Sequence, residues 1–260
     1  MNRQKWIRPL LSNTSVVIFL ILFVVFGILA PRFFTMKNVE NIMYSASYMG
    51  IIAIGMTFVL LTGGIDLSIG SNMFLSGVVA GLAINNWGFP VWGALLVALI
   101  VGLVYGTING LLVTKVGLAP FVTTLSTLIA GRGMGLFITR STSVNYPESV
   151  TMMGGQKVLG FLPLPIAIFL AIVLVSHLIL TRTQLGRQIY AVGNDTDAAE
   201  KAGINTLRIL MTVYVVCGLF AALGGFVSVA RLGRIQPNFG EADELDAIAA
   251  AVLGGTSLFG

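Results

Sequence analysis

Runs of about twenty apolar residues recur along this chain and constrain its fold more than any other feature. A helix needs about 20 such residues to cross the hydrocarbon core of a bilayer. Seven runs qualify: Leu11–Ala30, Ile42–Leu61, Ser68–Ile84, Val91–Val113, Pro120–Thr139, Phe161–Leu180 and Leu207–Ala230. An eighth run, residues 245–253, is too short to span by itself. The sequence therefore predicts a multi-pass membrane protein.

Closed β-barrels also satisfy every peptide group in lipid, so the kind of span has to be decided. Barrel strands alternate apolar and polar residues over about 10 positions. The apolar runs here do not alternate. We predict an all-α fold: a polytopic integral membrane helix bundle with Gly-interrupted helices, forming a single transmembrane domain over residues 1–260.

Composition excludes several classes of function. Only 10% of the residues are charged and 56% are hydrophobic, whereas soluble proteins carry about 25% charged residues. A soluble enzyme or a disordered chain is therefore excluded. The net charge of +5 comes from Lys and Arg spread between the apolar runs, not from a basic face. We expect no nucleic-acid partner, because that would require a clustered basic surface.

The apolar runs also predict a topology. Arg3, Lys5 and Arg8 precede a first run that resembles a signal peptide, but Pro31 follows Ala30 directly and disfavours cleavage there. We therefore expect an uncleaved first span with a cytoplasmic N-terminus. Loop 181–206 is then cytoplasmic and loop 140–160 extracytoplasmic. The predicted inside loops hold eight Lys and Arg against six outside, a modest bias.

Enzymatic and metal-binding residues are scarce in the sequence. The chain has one histidine, His177, and one cysteine, Cys217, which do not make a zinc site. No cluster of acids and histidines suggests catalysis. The phosphate-binding pattern GxxxxGK[ST] is not present. We expect neither enzymatic activity nor a metal or cofactor bound by this chain.

A polar segment interrupts the apolar pattern at residues 62–70, which read TGGIDLSIG. Gly63 and Gly64 favour an end to the helix, and Asp66 and Ser68 are placed to cap the next one. An ionised group at membrane depth costs roughly 3 kcal/mol or more. Asp66 is then either a structural cap near the interface or a polar contact on a solute pathway.

Other polar residues suggest where a solute would pass. The end of the chain repeats the Gly-Gly and hydroxyl pattern at Gly254, Gly255, Thr256 and Ser257, and paired Gly-interrupted segments point to a binding site. Asn109 needs hydrogen-bonding partners in apolar surroundings. Arg132 is interpreted as snorkelling to the outer interface. Neutral hydrogen-bonding side chains such as those of Asn109, Thr256 and Ser257 suit an uncharged polyhydroxylated solute better than an ion.

The loop from Thr181 to Arg208 carries most of the charge between the later spans. Residues 197–203 predict a short helix with Asp197 as N-cap, Glu200 completing a capping box and Gly203 as the left-handed stop. So short a helix is marginal alone in water and must be docked on something. It packs on its own bundle or offers a surface to a cytoplasmic partner.

Four sequence signatures resemble the permease subunits of bacterial ABC sugar importers of the ribose type, which include proteins for ribose, xylose, galactose and autoinducer-2. The resemblance covers nearly the whole chain, with the signatures in the family's order. They lie at 63–70, at 106–113 with 120–125 and 132–133, at 186–194 with 198–204, and at 236–237 with 244–250 and 254–258.

The resemblance implies a pore subunit that works with three partners. These are a cytoplasmic ATP-binding subunit that holds ATP and Mg²⁺, a second permease subunit in a homodimer or heterodimer, and an extracytoplasmic sugar-binding protein. The third signature implies a coupling helix that docks on the ATP-binding subunit. Its residues are Gly193, Asn194, Asp197, Ala198, Ala199, Glu200 and Gly203. The implied location is the bacterial inner membrane.

Two questions remain open from the sequence. Members of the family usually continue past the fourth signature, so we expect the family's C-terminal helices to be missing from residues 1–260. The alternative function is a secondary transporter without an ATPase partner. That class often carries several intramembrane carboxylates for ion coupling, whereas Asp66 is nearly alone here.

Overall fold

The computed structural model describes residues 14–158 and 160–258, and helices dominate these ranges. In chain order the helices are α1 (Thr14–Leu29), α2 (Met36–Leu60), α3 (Ile69–Trp87), α4 (Val91–Thr114), α5 (Pro120–Thr139), α6 (Glu148–Gly155), α7 (Leu164–Arg182), α8 (Gln184–Asn194), α9 (Thr196–Lys201), α10 (Thr206–Leu232) and α11 (Asp243–Leu253). The prediction of an all-α polytopic bundle is confirmed.

The strands in the described residues are two residues long and join loops. They are β1 (Val144–Asn145), β2 (Lys157–Val158), β3 (Leu162–Pro163) and β4 (Arg234–Ile235). β1 pairs antiparallel with β4, and β2 pairs antiparallel with β3. The first pair ties the segment after α5 to the segment after α10.

Within the described residues, five helices are long and apolar enough to cross a membrane: α2, α4, α5, α7 and α10. Each overlaps a predicted span, and α5 has the predicted bounds of Pro120–Thr139. The first predicted span begins at Leu11, outside the described residues, and its described part is the shorter helix α1. The multi-pass membrane prediction therefore holds.

The predicted third span behaves differently from the others. It forms α3, which has 19 residues, as many as the spanning helix α7, but is not apolar enough to count as a membrane-crossing helix. Its polar residues Ser71, Asn72 and Ser76 are buried inside the bundle, together with Met73 and Phe74. The helix thus lies in the protein interior, where neighbouring helices supply hydrogen-bonding partners that lipid cannot.

The core forms where α10 packs against α3 and α4. A Cβ at Gly106 of α4 would overlap the carbonyl oxygen of Tyr214 in α10, so the two backbones are in direct contact. Small residues at such crossings let membrane helices approach closely. This contact brings the polar residues of α4 beside the interior helix α3.

The chain divides into two compact units, residues 1–43 and residues 44–260. In the first unit, Phe23 of α1 makes edge contacts with Phe33 and Phe34, whose ring centroids are 5.1 and 5.6 Å away. The second unit contains the core and all of the residues predicted to form a site.

Candidate solute pathway and coupling segment

The segment between α2 and α3 begins with a turn at residues 61–63 and continues without regular structure to Asp66. Gly63 has a φ of 71°, a left-handed conformation that favours glycine. The amide of Gly63 donates to the Leu60 carbonyl at 2.9 Å, and the amide of Gly64 donates to the Val59 carbonyl at 3.1 Å. These bonds end α2 and direct the chain into the bundle at Asp66.

Asp66 is buried, with 1% of its surface exposed. Its carboxylate accepts hydrogen bonds from the Ser68 backbone amide at 2.9 Å and the Ser68 hydroxyl at 2.6 Å. Ser68 is the N-cap residue of α3, but its side chain makes no capping bond to the helix. The predicted cap is therefore wrong: Asp66 and Ser68 bond to each other, because a local carboxylate partner competes with the helix amides.

Asn109 of α4 joins Ser68 to α5. Its side-chain nitrogen donates to the Ser68 hydroxyl at 2.8 Å, and its side-chain oxygen accepts from the Thr127 hydroxyl at 2.7 Å. Asn109 is 1% exposed, so these partners replace water completely. The expectation that its amide needs internal partners is confirmed.

A second branch passes through Tyr105, one turn before Asn109. The Tyr105 hydroxyl lies 2.7 Å from the Ser71 hydroxyl and donates to the Thr127 carbonyl at 2.5 Å. The Thr124 hydroxyl of α5 donates to the Ile65 carbonyl at 3.2 Å. We name these eight side chains and their partners the Asp66 network: Asp66, Ser68, Ser71, Tyr105, Asn109, Thr124, Thr127 and the adjoining thiol of Cys217.

Sequence reasoning missed Ser71 and Cys217 as members of this network and did not connect Tyr105 with Asn109. A signal was present, because Ser68 and Ser71 are three positions apart, as are Thr124 and Thr127. Tyr105 and Asn109 are four positions apart. These spacings put each pair on one face of its helix, where the three faces can meet.

The network connects the 61–68 segment to α3, α4 and α5 through neutral hydrogen-bonding groups around one carboxyl group. The hydroxyl of Tyr214 and the side-chain oxygen of Asn72 are also buried, and neither has a hydrogen-bond partner. Buried groups left unpaired cost about 1–3 kcal/mol each, so these two atoms destabilise the folded bundle.

The Gly-Gly pattern at the end of the chain lies elsewhere in the structure. Gly254 has a φ of −71° and Gly255 a φ of 100°, so the left-handed glycine is the second of that pair but the first of the 63–64 pair. Thr256 is half-buried and donates its amide to the Ala251 carbonyl at 3.1 Å, and Ser257 is exposed. The two patterns therefore do not repeat one backbone geometry.

The interpretation of Arg132 as a snorkelling residue is wrong. Its guanidinium donates to the Phe239 carbonyl at 2.6 Å and the Pro237 carbonyl at 3.3 Å, and lies 4.9 Å from the centre of the Phe74 ring. Arg132 ties α5 to the loop before α11. Asp243 is the first residue of α11. Its pKa is raised to about 6, mainly by burial and secondly by the nearby carboxylate of Asp246.

The predicted coupling loop contains a helix that sequence reasoning did not identify. α8 turns one face to the bundle, where Ile189 and Val192 are fully buried in the same core cluster as Val59, Leu60 and Val213. Gly186, Ile189 and Val192 follow one another at intervals of three residues, and this helical spacing was the signal available in the sequence. α8 is thus docked on its own bundle.

The short helix predicted at 197–203 exists as α9, with a different cap. Asp195, not Asp197, is the N-cap, and its carboxylate accepts from the Ala198 amide at 3.0 Å. Glu200 does not complete a capping box, because it accepts instead from the Thr206 hydroxyl at 2.6 Å. Gly203 has a φ of 83°, which confirms the predicted left-handed stop.

The predicted coupling residues divide between the surface and the core. Asn194, Asp197, Ala198, Glu200 and Gly203 are exposed. Two others face inward. Ala199 is 4% exposed and belongs to the core cluster, and Gly193 contacts the backbone of Leu61. Ala199 therefore has no open surface for a partner, and packing on the chain's own bundle holds that side of α9.

Comparisons with known proteins show the family. The profile described as branched-chain amino acid transport system / permease component matches residues 38–260. The ribose import permease protein of Escherichia coli (strain K12) is 39% identical over 260 residues, covering 96% of this chain and 79% of the relative. No solved structure matches the chain significantly.

Two further relatives are also sugar import permeases. The ribose import permease protein of Bacillus subtilis (strain 168) is 41% identical over 244 residues, covering 92% of this chain and 75% of the relative. The fructose import permease protein of Rhizobium meliloti is 34% identical over 266 residues, covering 99% and 74%. With its helical bundle and long apolar helices, the chain belongs to the ribose-type permease subunits of bacterial ABC sugar importers, which are multi-pass transport proteins of the inner membrane.

Proposed function

We propose that this chain forms the membrane pore of an ATP-driven importer for a monosaccharide or a similar polyhydroxylated solute. The observation that carries the proposal is the pair of docked helices α8 and α9, which hold Asn194, Asp197 and Ala198 at the surface between two spanning helices. An exposed, internally braced segment of this kind is suited to docking a cytoplasmic partner, which a secondary transporter does not require.

The partners follow from this role. A cytoplasmic ATP-binding subunit holds ATP and Mg²⁺ and hydrolyses the nucleotide, while this chain binds no cofactor. A second permease subunit, identical or different, completes the pore, and an extracytoplasmic sugar-binding protein delivers the solute. The names of the relatives support a sugar, since they import ribose, allose and fructose.

We further propose that the Asp66 network, with Gly63, Gly64 and the turn at Thr256 and Ser257, borders the solute pathway. Hydroxyl, amide and carboxyl groups form hydrogen bonds with a polyhydroxylated solute, and the network supplies all three. The unpaired hydroxyl of Tyr214 beside it supports a region that rearranges during transport.

The docking role is tested by co-purification of the ATP-binding subunit with the full-length permease in detergent. Ala198→Arg places a bulky charge on the exposed face of α9, so we expect the ATP-binding subunit to be lost. Ser149→Arg, on the exposed surface of α6 in loop 140–160, is the matched control and should keep it. If the Ala198→Arg variant keeps the subunit and shows normal solute-stimulated ATP hydrolysis in liposomes, the docking role is wrong. The alternative, a secondary transporter without an ATPase partner, is then favoured.

The orientation is tested separately by cysteine labelling from outside intact cells, in a Cys217→Ala background. We propose that the N-terminus and loop 181–206 are cytoplasmic and loop 140–160 is extracytoplasmic. Asp195→Cys should then stay unlabelled, and Ser149→Cys should react; both positions are exposed. The opposite labelling pattern would reverse the orientation.

A further inference from the structure

Backbone contact joins α8 directly to the turn that begins the 61–68 segment. A Cβ placed on Gly193 would overlap the carbonyl oxygen of Leu61 and lie 3.5 Å from the Cα of Thr62. No side chain separates the two main chains at this point. A side chain can rotate away from a neighbour, but a carbonyl held in a turn cannot, so a displacement of α8 here must move the turn.

The turn at residues 61–63 is the break between the end of α2 and the segment that leads to α3. Leu61 still donates its amide to Thr57 at 2.9 Å, as in a helix, but Gly63 already has left-handed backbone torsions. From Gly64 the chain continues without regular structure to Asp66, whose carboxylate accepts a hydrogen bond from the Ser68 amide. Packed helices move as rigid bodies, and a few residues at the ends of elements take up the change in torsion.

A second connection reaches the same turn from α9. Glu200 accepts a hydrogen bond from Thr206 at 2.6 Å, which fastens α9 to the first residue of α10. Two turns along α10, the hydroxyl of Tyr214 lies where a Cβ on Gly64 would be 2.8 Å away. Both short helices of the coupling loop are therefore connected to residues 61–64, α8 by direct contact and α9 through α10.

We propose that the contact between Gly193 and Leu61 transmits movement of the docked ATP-binding subunit to the Asp66 network. Displacement of α8 shifts the turn at 61–64, which changes the position of Asp66 and Ser68 relative to Asn109. Gly193 is then a positioning residue for transport, acting through Leu61. The inference rests on the proposed importer function.

The test compares Gly193→Ala with Gly133→Ala in the full transporter, reconstituted in liposomes with its ATP-binding subunit and sugar-binding protein. Gly133 also lies in a helix, but a Cβ there meets open space. Basal and solute-stimulated ATP hydrolysis are measured with D-ribose, D-allose and D-fructose as probes. Co-purification of the ATP-binding subunit and thermal unfolding report assembly and folding.

We expect Gly193→Ala to keep the ATP-binding subunit and basal hydrolysis, while the stimulated-to-basal ratio falls by about fivefold or more, as typical for loss of coupling between two sites. Gly133→Ala should match wild type. A purely structural role for Gly193 would lower both rates together with the unfolding temperature, leaving their ratio unchanged, and that result overturns the inference.

Gly63→Ala serves as the second variant if Gly193→Ala does not assemble. Alanine disfavours the left-handed torsions of the turn on the other side of the contact. The same loss of the ratio with the ATP-binding subunit bound is expected, and a wild-type ratio overturns the inference. Wild-type permease that neither binds the ATP-binding subunit nor responds to any probe sugar contradicts the proposed function instead.

Discussion

The Asp66 network and the coupling loop both place polar groups beside an apolar bundle, but they satisfy those groups in different ways. Asn109 finds its partners 41 and 18 residues away, in α3 and α5. In the coupling loop, Asp195 binds an amide 3 residues away, and Thr206 binds Glu200 across 6 residues. The polar groups of the Asp66 network depend on helices packing together, whereas those of the coupling loop find partners within a few residues.

This difference predicts how each region responds to substitution. A buried group that loses a distant partner is left without water to replace it, so the cost is high. An exposed cap that is lost is replaced by solvent at lower cost. The predictions below test that contrast, with unfolding followed in mixed detergent and transport followed in liposomes.

The largest effect is expected for Asn109→Ala. It removes one hydrogen-bond partner from each of two hydroxyl groups, those of Ser68 and Thr127, and should lower the free energy of unfolding by about 3 kcal/mol. Ser126→Ala is the control, because Ser126 is exposed and bonds only within its own helix. Equal effects of the two substitutions would show that the network does not stabilise the bundle.

Two substitutions of Asp66 distinguish the contribution of its hydrogen bonds from the contribution of its charge. Asp66→Ala loses the bonds to Ser68 and should cost about 2 kcal/mol, because removal of a buried carboxyl group offsets part of the loss. Asp66→Asn keeps an oxygen acceptor and should fold like wild type. We expect both variants to impair transport. An Asn variant that transports normally would leave only the structural role.

Neighbouring alanines sharpen the contrast within α9. Ala199 is buried in the core cluster, so Ala199→Leu should overpack it and cost about 1.5 kcal/mol. Ala198 is exposed, and Ala198→Leu should be nearly neutral in the isolated permease. Similar unfolding of the two variants would mean that α9 is not docked on the bundle.

The smallest effect concerns the cap of α9. Asp195→Ala removes the bond to the Ala198 amide and should cost about 1 kcal/mol locally. Hydrogen exchange of the amides at 198–201 is the appropriate measurement, since global unfolding is insensitive to so small a helix. Asp197→Ala should leave exchange unchanged. Faster exchange in the Asp197 variant would restore Asp197 as the cap.

The sequence was sufficient for features that depend on composition or on neighbouring residues. Apolar runs predicted the bounds of α5 and the approximate extents of the other spanning helices, because the bilayer thickness sets a minimum length. Gly203 was correctly expected to adopt left-handed torsions, since only glycine adopts those torsions without strain. The four signatures predicted the family that the comparisons show.

Tertiary structure decided which polar residues meet and which helix faces are covered. The sequence does not show which partners Asn109 has, because they depend on how packing of α4 and α5 places Ser68 and Thr127 beside it. Likewise, burial of Ala199 follows from docking on the bundle, not from its helix propensity. Long-range packing brings together residues far apart in sequence, and the order of residues along one chain does not record that proximity.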